Sequence, residues 1–162
     1  MARQGQTDGV AMIRDAMATV ASSRFGIYRS MYGAMLAEAC ASVGRFDEAL
    51  SAVDEVLPFA QAEELYFQAE LNRLRGEFLL TRGNTERGTA ENCFRTAIEI
   101  ARRQSAKSWQ LRATTSLARL LRDTNRRDEA RAMLTEIYNW FTEGFTTPDL
   151  KAAKALLQEL KG

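Results

Sequence analysis

"GRFDEAL" at residues 44–50 opens on a turn residue, passes an acid and runs into apolar spacing. Related words stand at 5–11 ("GQTDGVA"), 83–90 ("GNTERGTA") and 125–134 ("NRRDEARAML"). Gly5, Gly44, Gly83 and Asn125 lie 39, 39 and 42 residues apart, and Asp8, Asp47, Glu86 and Asp128 keep the same spacing. A turn signal plus an acid at a period of roughly 40 residues marks an internal repeat.

Working outward, each of the last three turn words is flanked by two apolar-periodic segments. "FGIYRSMYGAMLAEACASVG" precedes Gly44 and "RFDEALSAVDEVLPFA" follows it. "EELYFQAELNRLRGEFLLTRG" runs into Gly83 and "KSWQLRATTSLARLLRDTN" into Asn125, each with a similar partner behind it. Leu71, Leu74 and Phe78, or Leu117, Leu120 and Leu121, recur at helical spacing. Gly or Asn after the last turn stops a helix, because a left-handed residue is cheapest there. An acid opening the next helix suits the positive end of its dipole. The unit is therefore a helix, a tight turn and an antiparallel helix.

Matching places carry matching sizes. Ala37, Gly76 and Ala118 stand seven residues before the turn residue, and Ala49, Ala90 and Ala130 five to seven after it. Small side chains there let the helices of one hairpin approach closely. Val53, Phe94 and Leu134, four residues later, fill the gap to the next hairpin. This pattern resembles the tetratricopeptide repeat, with units of about 40 residues instead of the usual 34 or so. The resemblance implies an all-α solenoid of helical hairpins wound as a right-handed superhelix. The expected divisions are a half repeat at 1–22, repeats at 25–60, 61–104 and 105–144, and a cap helix at 147–161. In the cap, Thr147 suits the N-cap, Pro148 the first helical position and Asp149 the dipole. Leu150, Ala153, Leu157 and Leu160 form its apolar face, with Lys151, Lys154, Gln158 and Lys161 turned away, as a solvating end repeat requires.

Composition narrows the function. The 162 residues, 46% hydrophobic and 27% charged with net charge +1, suit one sizeable core and show no bias toward nucleic acid or membrane. Histidine is absent, which removes histidine general acid–base catalysis, histidine-dependent triads and histidine metal ligands. The two cysteines, Cys40 and Cys93, form no metal-ligand spacing and read as buried, unpaired thiols. No signal peptide or stretch of roughly 18 apolar residues is present. A cytoplasmic protein is expected, with no cofactor.

The last 60 or so residues are similar to the C-terminal tetratricopeptide region of large bacterial signalling proteins that carry a regulatory ATPase module. Those proteins often have an adenylate or guanylate cyclase, or a DNA-binding domain, at their N-terminus. The words "ARRQSAKSWQLRA", "SLARL", "YNWFTEGF" and "DLKAAKALL" carry the likeness, together with "ELNRLRGEFLL" at 70–80. The resemblance implies the sensor or scaffold part of such a system. No phosphate loop and no cyclase carboxylates can be placed, so neither ATP hydrolysis nor cyclisation belongs to this chain.

Candidate binding residues fall on the first helices. Ser108, Arg112, Thr115, Arg119, Arg122 and Arg126 lie on one helical face, and Arg73 and Glu77 belong to the helix before. Tetratricopeptide architecture turns that face into the concave groove. It reads either as a clamp for an acidic peptide or ligand or as a solvated face with ion pairs to neighbours. Glu70 and Glu77 hold the same repeat positions as Arg112 and Arg119, so at least one arginine should pair across the groove. Arg122 and Arg126 would then be left for a ligand. Trp140, Phe141 and Phe145 are expected to pack beneath the cap helix against Leu150, Ala153 and Leu157. Glu63, Glu64, Glu70 and Glu77 lack metal spacing and a nucleophile, so catalysis is not expected. Nucleic acid is disfavoured because aromatics do not interleave with the arginines. Three readings remain: a protein scaffold, a small-molecule or peptide sensor, and an enzyme. Val10, Ile13, Met17 and Val20 form an apolar strip on a helix lacking its hairpin partner, and a homodimer through that end is expected.

Overall fold

The computed structural model describes residues 9–16, 19, 29–62 and 66–161. Their regular structure is all helix, joined by turns and connections, with no strand among them. The helices are α1 (described over 9–16), α2 (Arg29–Ser42), α3 (Phe46–Ala62), α4 (Gln68–Thr81), α5 (Arg87–Arg103), α6 (Lys107–Asp123), α7 (Arg127–Tyr138) and α8 (Pro148–Glu159).

The turn residues behave as their chemistry requires. Gly44, Gly83 and Asn125 have φ of 81°, 123° and 64°, all in the half of backbone space that suits residues with little or no side-chain clash. At Gly44 and Asn125 the residue beyond the turn donates back into the last helical turn. Arg45 N–H bonds Cys40 O at 2.9 Å and Arg126 N–H bonds Leu121 O at 2.8 Å. This closure satisfies carbonyls that a helix end leaves bare. Ser105, at φ 55°, does the same between α5 and α6, with Ala106 N–H on Ala101 O; nothing in the residue type announced it. The Gly83 turn instead runs through a 3₁₀ turn at Asn84–Glu86, which absorbs the two extra residues before Ala90.

The residues of matching size are the core. Ala37, Ala49, Ala90, Ala130, Val53, Phe94 and Leu134 are fully buried and Ala118 nearly so. A Cβ added at Gly76 would stand 2.5 Å from the Phe94 ring, and one at Gly33 2.5 Å from Val56. Glycine at 76 therefore sets how closely α4 and α5 approach. Cys40 and Cys93 are buried and free.

Stacking gives the molecule an inside and an outside. α2 and α3, α4 and α5, and α6 and α7 form hairpins. Each first helix also packs closely on the next first helix, α2 on α4 and α4 on α6, whereas the second helices stand farther apart, α5 and α7 meeting only through long side chains such as Arg95 with Glu129 and Arg102 with Glu136. The stack therefore curves with its first helices on the inner face. α8 packs on both α6 and α7, in the place of a fourth first helix. Its chain enters as expected, with Thr147 extended, Pro148 at the start and Asp149 in the first turn, but the Thr147 side chain makes no capping bond. Its buried face is Leu150, Ala153, Leu156 and Leu160, and Leu157 is only half-buried.

Val10 is buried and Ile13 packs on the same core. These two do not form the open strip expected of the N-terminal helix; Met17 and Val20 lie outside the described residues, as do Glu63 and Glu64. Among the described residues no helix is long and apolar enough to cross a membrane.

Candidate functional site

The inner face holds a polar cleft of about 180 Å³ lined by Arg73 from α4, Arg112, Thr115, Ser116 and Arg119 from α6, and Asp149 and Ala152 from α8. Repeat geometry brings these side chains together, because equivalent positions of successive first helices lie side by side.

Glu70 is the centre of the cluster. Its carboxylate is only 5% exposed and accepts from Arg73 Nε at 2.9 Å and Arg73 Nη2 at 2.8 Å. Arg112 Nη2, from the equivalent position one repeat on, reaches the same carboxylate at 2.8 Å. The expected pairing across the groove is present. Burial opposes charge on the Arg73 guanidinium, but the hydrogen bonds and charge of Glu70, with Glu77 and Glu38 behind, hold it above its usual range. Glu77 accepts from Arg73 Nη1 at 3.4 Å and from the Ser116 hydroxyl. Thr115 faces the cleft, but its hydroxyl donates to the Leu111 carbonyl of its own helix at 2.8 Å.

The outer half of the arginine stripe departs from expectation. Arg122 is held by Asp123 and by Glu159 of α8. Arg126 lies past the end of α6, in the turn to α7, and binds Glu91 of α5 at 2.8 Å and Glu129 of α7 at 2.7 Å. It does not line the cleft. Arg119 is the arginine of the stripe with no ion pair or hydrogen bond among the described residues, and it is exposed at the cleft mouth. Asp149, across the cleft, likewise has no ion pair among the described residues. Ser116, Asp149 and Ala152 were not singled out as cleft residues from sequence. Treating α8 as a fourth first helix would have found the latter two, since Glu159 meets Arg122 and Asp149 stands ten residues before Glu159, as Arg112 does before Arg122.

The aromatic residues near the C-terminal end do not form one packed knot under α8. Trp140 is 57% and Phe145 45% exposed. Trp140 meets Phe141 edge-on at 5.2 Å between centroids, and Phe145 meets Tyr138 at 5.8 Å.

Comparison with known proteins supports the fold alone. No family model matches the chain, and no curated protein does. Solved structures do match. A Podosopora anserina protein described as a kinesin light chain with nearly identical TPR-like repeats superposes with a TM-score of 0.69, and its Q17M form with 0.71. Identities are 17% and 16%, and each alignment covers 98% of this chain and 81% of the other. The chain has a tetratricopeptide-like helical-repeat fold.

Proposed function

We propose that this chain is a non-catalytic scaffold whose inner face receives a protein or peptide partner. The observation that carries the reading is the cleft itself. It is open, polar and internally charge-matched at Glu70, Arg73 and Arg112, which fixes the register of α4 and α6 while leaving Arg119 and Asp149 to meet a ligand. Such a surface recognises by complementary charge and gains specificity more than raw affinity from it. We place this scaffold in a bacterial signalling system of the ATPase and cyclase type, on the strength of the words in α4, α6, α7 and α8. A second reading, a sensor for an acidic small molecule or peptide, is favoured by Arg119 alone. Tagged wild-type chain and its Arg119→Ala variant, used to capture partners from native bacterial cytosol, separate these. A protein retained in fixed ratio by the wild type and lost by the variant supports the scaffold. A bound species below about 1 kDa in native mass spectrometry supports the sensor. Equal capture by both proteins contradicts both.

A further inference from the structure

We infer that the edge of the solenoid formed by the connections between repeats is a second docking surface, for an extended peptide segment carrying apolar and acidic side chains. Tyr66 and Phe67 before α4, the α5–α6 turn and the α7–α8 connection all lie at the ends where second helices hand over to first helices. Three of the six exposed large hydrophobic residues in the described chain sit there: Tyr66 at 74%, Trp140 and Phe145. They are not isolated. Tyr66 touches Phe67 and Phe67 touches Trp109, each with centroids 5.9 Å apart. Lys107, two residues from Trp109, places its ammonium 5.6 Å from the Trp140 ring, and Trp140 continues to Phe141. Two aromatic clusters, Tyr66–Phe67–Trp109 and Trp140–Phe141, are thus joined through Lys107 into one strip across two repeat boundaries.

The half-buried rings of the strip are held from beneath. Trp109 packs on Ala69, Ile100 and Ala101, and Phe67 packs on the main core. Rings fixed at their base and open at their tip lose little conformational freedom on binding, which is why Tyr and Trp dominate contact centres in interfaces. Charge narrows the partner. Lys107 and Arg103 have no acidic partner among the described residues, so acids in the partner would find them unopposed. Cations on the rings argue against stacked bases, because Lys107 lies over a face of Trp140 and Arg112, at 5.3 Å, over a face of Trp109. A nucleobase needs such a face free. The surface adjoins the inner cleft at Arg112, but its exposed rings lie outside the cleft lining, and it stands whether or not the cleft binds.

The test is a displayed library of random peptides of about twelve residues panned against the full chain, with enriched clones re-measured on variants by fluorescence anisotropy. Tyr66→Ala and Trp140→Ala remove exposed rings, Lys107→Glu reverses the charge and Arg119→Ala alters only the cleft. Circular dichroism melts establish that each variant folds. The expected result is a set of apolar, acid-bearing peptides whose affinity falls about tenfold or more with Trp140→Ala or Tyr66→Ala. They should weaken with Lys107→Glu and be unchanged with Arg119→Ala. No enrichment overturns the inference. So do clones sensitive to Arg119→Ala but not to Trp140→Ala, or a labelled oligo-uridine that binds more tightly than any clone.

Discussion

Gly76 and Phe94 occupy one volume between them. The ring fills the space that a side chain on the glycine would need, and the two positions recur in every hairpin as a small residue against a large one. Gly76→Ala is therefore expected to destabilise by about 1–3 kcal/mol despite alanine's better helix propensity. Adding Phe94→Leu should cost less than the two single changes together, because each relieves the other's misfit; chemical denaturation of the four proteins measures this. Arg73 and Glu70 set a second residue-scale test. Arg73→Met leaves the Glu70 carboxylate buried with Arg112 as its remaining arginine, and a loss of about 2–3 kcal/mol is expected in the same denaturation assay. Pairing across the groove was legible from sequence because Glu70 and Arg112 stand equally far before Gly83 and Asn125. The left-handed Ser105 was not, since serine has no special preference for that conformation and the closing bond to Ala101 is what holds it there.

At the scale of the elements, α8 is the instructive case. Its contact between Glu159 and Arg122 aligns it with α6, so that Lys151, Lys154 and Gln158 stand where α6 has Thr114, Leu117 and Leu121. Those α6 residues are buried, and α7 packs on α6 as its hairpin partner; on α8 the equivalent positions have turned polar. α8 thus stacks like a first helix yet presents a hydrated outer face, which is how a terminal repeat stays soluble. Lys154→Leu with Gln158→Leu should restore the sticky face, and sedimentation should show self-association rising with concentration where the wild type shows less. The α5–α7 layer supplies a pH test. Burial pushes the Glu91 carboxyl up, but hydrogen bonds from Arg95 and Arg126 outweigh it and hold the group below the usual carboxylate range. Hydrogen bonding from Arg95, against burial and helped by Arg126, lowers Glu129 as well. Carboxylates with lowered folded-state values stabilise fully above the unfolded range and lose that stabilisation as pH falls through the lowered values. Thermal midpoints between about pH 7 and 3 should therefore drop toward acid, and Arg126→Gln should flatten the drop. Arg126 was misread as a groove residue because helical counting was carried past Asp123, where α6 ends; the turn swings its side chain to the outer helices.

For the whole molecule, repeat spacing and residue size were enough to reach the all-helical stack and its hairpins, because each hairpin buries the same small and large positions. The cleft was only partly legible. A helical face can be counted from one segment, but which charges are already spent on neighbours depends on how three first helices align, and that alignment decided between Arg119 and the pair Arg122 and Arg126. The central claim, that a partner binds the inner face, is tested most directly by hydrogen exchange read by mass spectrometry on the chain alone and saturated with the protein it captures from cytosol. Slowed exchange across the α4, α6 and α8 segments containing Arg73, Arg112, Arg119 and Asp149, with α3, α5 and α7 unchanged, is the expected result. Slowing confined to α3, α5 and α7 would contradict it.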